Sequence, residues 1–242
     1  MTPATLYTIG MGPGDPELLT LKAVRILGAA PVVAYFAKRG RPGHARCIAG
    51  PHIHPAATEL RFDYPFTTEI AIGDPRYGAG MGEFYAAAAV AIACHLDAGR
   101  DVALLCEGDP FFYGSAMYLF DRLGRSHRNE IVPGITGMSG GWTQARLPFT
   151  HGDDVLTILP GTLDEATLAE RLGQCDAAVI LKIGRNLAKI RRALRTSGLE
   201  DRAVYVEHGT MPGERILKLT DMTETSAPYF SMVLVPGRQK PR

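Results

Sequence analysis

The sequence predicts an α/β fold in two domains, a parallel-sheet domain followed by a mixed-sheet domain, and three observations carry that expectation. Through the first half of the 242 residues, strand-like apolar runs alternate with stretches of helical periodicity, the pattern of a parallel sheet covered by helices on both faces. Near the C-terminus three strand-like runs follow one another in quick succession, which calls for antiparallel pairs. Two Gly-Asp-Pro loops, Gly10-Met11-Gly12-Pro13-Gly14-Asp15-Pro16 and Glu107-Gly108-Asp109-Pro110, each follow such a run. Glycines at a strand's carboxyl end let the backbone come close to a ligand, and in open α/β sheets ligands bind at that end.

Taken in order, Leu6-Tyr7-Thr8-Ile9 forms the first strand and feeds the first glycine loop. In each loop the Asp is placed to cap a helix that the next Pro opens. Leu18, Leu19, Leu21, Val24, Ile26 and Leu27 recur at helical spacing, and residues 31–35 read as a buried strand. Residues 36–82 read as loop-rich, 83–98 as a helix stopped by Gly99, and 102–106 as a strand entering the second loop. A helix over 115–123 and a short strand over 130–133, closing on Gly134, complete this half. In the second half, strands are expected at 155–159 and 177–183. Helices are expected at 163–172 and 186–196, the latter capped by Asn186. The closing strands cover 203–207, 215–219 and 229–235. The expected domains are residues 1–134 and 135–242.

Composition narrows the function classes. With 46% hydrophobic and 21% charged residues the chain is that of an ordinary folded protein. A net charge of +1 supplies no global field for nucleic acid or an anionic membrane, so an acidic ligand needs a local basic patch. Cys47, Cys94, Cys106 and Cys175 show neither a disulfide nor a zinc spacing; Cys94 and Cys106, in apolar runs, are expected in the core. The N-terminus lacks the pattern of a signal peptide. His95 and Asp97 end the apolar 86–94 run, so no stretch is expected to span a bilayer. A cytoplasmic protein is the resulting expectation.

A dinucleotide fingerprint fits poorly. Its third glycine arrives one residue early, at Gly14, and no carboxylate stands in Phe36-Ala37-Lys38-Arg39 to hold a ribose. An Arg there suits a 2′-phosphate, which keeps an NADP-dependent oxidoreductase as an alternative. No Gly-Lys-Ser/Thr follows the first loop, which excludes a P-loop. Cys47, His52 and His54 lack a fourth partner for a metal centre, so no metal site is expected.

Three motifs in order carry a resemblance: Ile9-Gly10-Met11-Gly12-Pro13-Gly14-Asp15, Gly108-Asp109-Pro110-Phe111-Phe112-Tyr113-Gly114, and Val132-Pro133-Gly134-Ile135-Thr136-Gly137-Met138-Ser139-Gly140. Together they resemble the tetrapyrrole (cobalamin-pathway) methyltransferases, as do Leu147-Pro148-Phe149-Thr150-His151 and Glu207-His208-Gly209-Thr210. The resemblance spans essentially the whole chain. It implies S-adenosyl-L-methionine (SAM) as methyl donor, bound in a cleft between two α/β domains of a homodimer. The implied contacts are Pro13, Glu107, Gly108, Asp109, Phe112, Thr136, Gly137, Ile183 and Gly209, several of them through the backbone. SAM carries a sulfonium cation and no phosphate, so carboxylates such as Glu107 and Asp109 suit it better than a phosphate cradle would.

Within that family, Lys38-Arg39-Gly40-Arg41-Pro42-Gly43-His44-Ala45, Phe66-Thr67-Thr68-Glu69 and Lys182-Ile183-Gly184-Arg185 are similar to the branch that methylates C-20 of precorrin-2. Glu107 departs from the Gly-Gly-Asp of the uroporphyrinogen-type branch. The implied reaction gives precorrin-3A. The same step on cobalt-factor II is the nearest alternative, and a non-catalytic tetrapyrrole carrier is a more distant one. The acetate and propionate groups of such a ring are expected at the basic segment, on Lys38, Arg39, Arg41 and His44, since Arg holds carboxylates bidentately. Tyr113, His151 and Tyr229 are the candidates for orienting the ring or accepting a proton, and Trp142 is expected in the core. No nucleic-acid or membrane partner is implied.

Overall fold

The structure, a computed structural model, describes residues 3–66 and 74–237. Of the sequence motifs, Thr67, Thr68 and Glu69 lie outside the described residues. The chain divides into two compact units, Met1–Thr136 and Gly137–Arg242.

The first unit is built on five strands: β1 (Thr5–Gly10), β2 (Val32–Lys38), β3 (Thr58–Tyr64), β4 (Val102–Cys106) and β5 (Arg128–Val132). They lie in the order β3-β2-β4-β1-β5, and all pairs are parallel. The helices are α1 (Leu21–Leu27), α2 (His44–Ala49), α3 (Pro75–Asp97) and α4 (Ala116–Leu123). Strand β4 is apolar and buried along its length, as a central parallel strand must be. Its alternate residues enter two cores. Val102 and Leu104 pack with Leu6, Ala34 and Phe36 against α3 and α4. Ala103 and Leu105 pack with Ile9, Val33 and Tyr35 against α1 and α2.

The second unit carries α5 (Gly137–Gln144), β6 (Leu156–Pro160), α6 (Glu165–Gly173), β7 (Ala177–Leu181), α7 (Leu187–Thr196), β8 (Val204–Glu207), β9 (Arg215–Lys218) and β10 (Ser231–Val235). The strand order is β6-β7-β10-β8-β9, with β6 and β7 parallel and the remaining pairs antiparallel. Ile180, Tyr205 and Val233 face a core closed by α6 and α7. Val179, Val206 and Leu234 face another that includes Trp142, whose ring stacks on Phe149 at 4.9 Å.

Several local expectations need correction. The 36–82 region holds α2 and β3, and α3 starts at Pro75, where Asp74 accepts the Arg76 N–H. Asp15 accepts the Glu17 N–H, but it caps only a short 3-10 turn; α1 begins later, capped by Thr20. Asp109 likewise bonds the Phe111 N–H in a turn, and α4 begins only at Ala116. Asn186 stands at the start of α7 without capping it, because its amide donates backward to the Lys182 carbonyl at 3.4 Å. Cys94 is exposed on α3, while Cys106 is buried. By length and composition, α3 is long and apolar enough to cross a bilayer, contrary to the expectation from the 86–94 run. One face of it packs internally: Met81, Tyr85, Ala88, Ala89, Ile92 and Leu96 enter the first core.

Candidate functional site

In the first unit, the carboxyl ends of β1, β4 and β5 lie side by side, and the segments leaving them are stitched together. The Met11 N–H donates to the Cys106 carbonyl at 2.7 Å, and Gly12 and Gly108 exchange N–H···O bonds of 3.3 and 2.8 Å. Asp109 joins the third segment, accepting the Gly134 N–H at 3.1 Å while its other oxygen accepts the Phe111 N–H at 2.9 Å. A Cβ on Gly134 would fall 2.1 Å from the Gly108 carbonyl oxygen, and one on Gly10 would fall 2.6 Å from the same atom. Only glycine permits this approach. The result is a close-packed backbone junction at the carboxyl ends of the strands, the end at which parallel α/β folds hold their ligands. Pro13, Gly108, Asp109 and Phe112 belong to these segments, and Thr136 follows two residues after Gly134.

Glu107 stands at the start of the second loop. Solvent reaches its side chain, yet surrounding protein withholds hydration from the carboxyl and pushes its pKa up to about 7. A group so poised is neutral or ionised within the physiological range, and a nearby cation would favour the ionised form. Burial drives the neighbouring Cys106 thiol up, keeping it protonated.

Beyond Phe112 the loop is held in an unusual conformation. Tyr113 has φ 57°, a left-handed geometry that costs a bulky residue free energy, and its ring is half exposed, edge-on to Phe112 at 4.9 Å. Two residues later, the Ser115 hydroxyl accepts from Tyr64 at 2.8 Å and from Tyr85 at 3.1 Å. Tyr64 comes from β3 and Tyr85 from α3, so the strained turn is anchored to two separate elements. Burial pushes the Tyr85 hydroxyl up to about 12, which keeps it a donor.

The basic segment forms a built turn. Arg41 N–H donates to the Lys38 carbonyl at 3.0 Å, and Gly40 has φ 76°, as the third position of a type II turn requires. Lys38, Arg39, Arg41 and His44 are exposed. Arg46 is used otherwise: it forks onto Glu59 with bonds of 2.8 and 2.7 Å, and its guanidinium holds the Glu59 carboxyl below the usual range. Arg61, which the sequence did not single out, donates to the carbonyls of Lys38 and Arg41 and to Asp63. Among the described residues, no three His, Cys, Asp or Glu side chains gather in a metal-binding group.

In the second unit the remaining candidates fall into three places. Gly137 opens α5. Ile183 is fully buried in the second core and follows Lys182, which has φ 55°. Gly209 sits between His208 (φ 51°) and Thr210 (φ 67°), two left-handed residues in succession around it. The adjoining Glu207 is fixed by the buried Tyr205 hydroxyl at 2.6 Å, and its other oxygen lies 3.7 Å from His208 Nδ1. His151 lies on an exposed turn closed by its N–H bond to Asp154 at 2.9 Å. Tyr229 is 78% exposed, with its ring edge-on to Phe230.

Known proteins resemble this chain in sequence and fold. Residues 5–223 match the family described as tetrapyrrole (corrin/porphyrin) methylases. The chain is 55% identical to a precorrin-2 C(20)-methyltransferase of a Sinorhizobium species, covering 96% of this chain and 95% of the relative. It is 47% identical to a Mycobacterium tuberculosis cobalamin biosynthesis protein, CobIJ, but spans only 46% of that longer protein. Identity to a Salmonella typhimurium cobalt-precorrin-2 C(20)-methyltransferase is 30%, over 95% of each chain. A Thermus thermophilus uroporphyrin-III C-methyl transferase, solved with S-adenyl homocysteine, shares the fold with a TM-score of 0.67 at 24% identity, covering 96% of each chain.

Proposed function

The chain belongs to the tetrapyrrole (corrin/porphyrin) methylase family, and from that premise we propose that it transfers the methyl group of SAM to C-20 of precorrin-2, releasing precorrin-3A and S-adenosylhomocysteine. The observation that carries this reading is the 55% identity, end to end, with a relative of that name. The cobalt-loaded substrate is the second reading; the relative named for it stands at 30%, so the metal-free ring is favoured.

The residues present suit the methyl donor. At Gly10 and Gly134 the loops pack so closely that a Cβ would strike the Gly108 carbonyl oxygen, and the segments around this junction offer backbone groups to the adenosine and amino-acid ends. Glu107 and Asp109 place carboxylates beside it for the sulfonium, which when bound supplies an electrophilic methyl. The C-20 carbon attacks in line, the carbon–sulfur bond breaks as the new carbon–carbon bond forms, and the C-20 proton leaves to a base. Alignment with water excluded supplies up to about 7–11 kcal/mol of such a barrier. In this reading Tyr113 orients the ring, while Lys38, Arg39, Arg41 and His44 receive its carboxylates. The protein acts as a homodimer, which light scattering tests separately.

The deciding experiment is an anaerobic assay with SAM and either precorrin-2 or cobalt-factor II, read by product mass and by NMR of the new methyl. Methylation at C-20 of precorrin-2, faster than of the cobalt ring, is expected. Tetrapyrrole binding without SAM binding would make the protein a carrier. Quenching of nicotinamide fluorescence on NADPH titration would favour an oxidoreductase.

A further inference from the structure

We propose that Arg61 is a positioning residue: it fastens the 38–41 turn through its backbone carbonyls, so that Arg39 and Arg41 are presented, pre-aligned, to a polycarboxylate ligand. This rests on the reading of that turn as the place where ring carboxylates bind.

Arg61 lies on the edge strand β3, on the same face as Glu59 and Asp63. One amino group of its guanidinium donates to both ends of the turn, to the Arg41 carbonyl at 2.9 Å and the Lys38 carbonyl at 3.3 Å. Its Nε and the same amino group also meet one oxygen of Asp63, at 2.9 and 2.8 Å, which fixes the plane of the fork. The turn is thereby closed twice, by its own Arg41-to-Lys38 bond of 3.0 Å and by Arg61 bridging the same carbonyls.

Charge is sorted at the same time. Asp63 neutralises Arg61 and Glu59 neutralises Arg46, so two of the four guanidinia here are structural. Arg39 and Arg41 are exposed and form no ion pair among the described residues. Holding them on a rigid turn lowers the ordering cost when they meet anionic groups. Lysine cannot substitute at position 61. Its point charge lacks the planar fork that reaches Asp63 and two carbonyls together.

The test is a double-mutant cycle read by steady-state kinetics with precorrin-2, by calorimetry with SAM and by thermal melting. Arg61→Lys and Arg61→Met are each made in the parent and in an Arg39→Ala, Arg41→Ala background. In the parent, both should raise KM roughly threefold to tenfold, as expected when charge-assisted hydrogen bonds lose alignment. Both kcat and SAM affinity should stay within about twofold. In the double-alanine background the same changes should move KM by less than about 1.5-fold, because the two guanidinia that Arg61 presents are then gone. Asp63→Asn, which loosens Arg61 without removing it, should shift KM in the same direction by less, and serves if Arg61→Met does not fold. A parent-like KM for Arg61→Lys overturns the inference, and so does an equal rise in both backgrounds, which would mean direct contact with the ligand. If Arg39→Ala with Arg41→Ala alone leaves KM unchanged, the substrate reading of the turn falls, and the inference with it.

Discussion

Glu107 shows how one residue tunes a site that is otherwise backbone. Surrounding protein pushes its carboxyl up to about 7, above the ordinary 4.5, by withholding hydration from the charge although solvent reaches the side chain. Between those values the folded state holds more proton than the unfolded state. Its contribution to stability is therefore complete below about 4.5 and is lost as pH rises through about 7. Glu107→Gln should consequently gain on the parent in melting temperature as pH rises from 5 to 8. Cofactor binding should run the other way. The ionised carboxylate favours the sulfonium of SAM, whereas the sulfur of S-adenosylhomocysteine is neutral. Parent affinity for SAM, relative to S-adenosylhomocysteine, should rise several-fold between pH 6 and 8, within the tenfold that one pKa unit represents, and the Gln variant should flatten that ratio. Calorimetry with both ligands decides it; identical pH responses in parent and variant would remove Glu107 from the donor site. The sequence marked the position because a carboxylate stands where a glycine was expected, but its poise depends on packing that no local pattern encodes.

At the scale of elements, β3 was the main miss and the part that bears most on function. Thr58-Glu59-Leu60-Arg61-Phe62-Asp63-Tyr64 alternates polar and apolar residues with the period of a strand. That signal was submerged in a Pro-, Gly- and His-rich region. Its polar face carries Arg61 to the basic turn and its apolar face carries Tyr64 to Ser115. By contrast β4 and the glycine loops were legible, since an uninterrupted buried run followed by glycine has few other readings. The helices expected at Pro16 and Pro110 failed because an Asx-type bond closes a turn as readily as it caps a helix. Ser115 tests the buttress. Ser115→Ala removes the acceptor of two tyrosine hydroxyls and leaves that of Tyr85 in a buried site. Two such bonds are worth about 1–3 kcal/mol net. Urea denaturation should show a loss in that range, and an unchanged midpoint would mean that the tyrosines do not depend on Ser115.

For the molecule as a whole, the near-equality of 26 basic and 25 acidic side chains hides an uneven distribution. Some cations elsewhere are matched in place: Lys22 with Glu130, Arg76 with Asp74, Arg192 with Glu165, Arg191 and Arg195 with Glu200, Arg215 with Glu224. Exposed pairs of this kind add little stability individually; Arg39 and Arg41, exposed and close together on one turn, make the 38–44 segment a local source of positive potential. Tetrapyrrole capture should then be salt-sensitive at short range only. Screening lengths fall from about 10 Å at 0.1 M salt to about 3 Å at 1 M. KM for precorrin-2 should accordingly rise several-fold across that range, while SAM affinity, set by backbone contacts and by Glu107 at short range, should change by less than about twofold. Arg39→Ala with Arg41→Ala should abolish most of the salt dependence without altering the response of SAM binding. Equal salt responses for the two ligands in the parent, or a salt slope untouched by the double substitution, would move the electrostatic site away from the 38–44 segment.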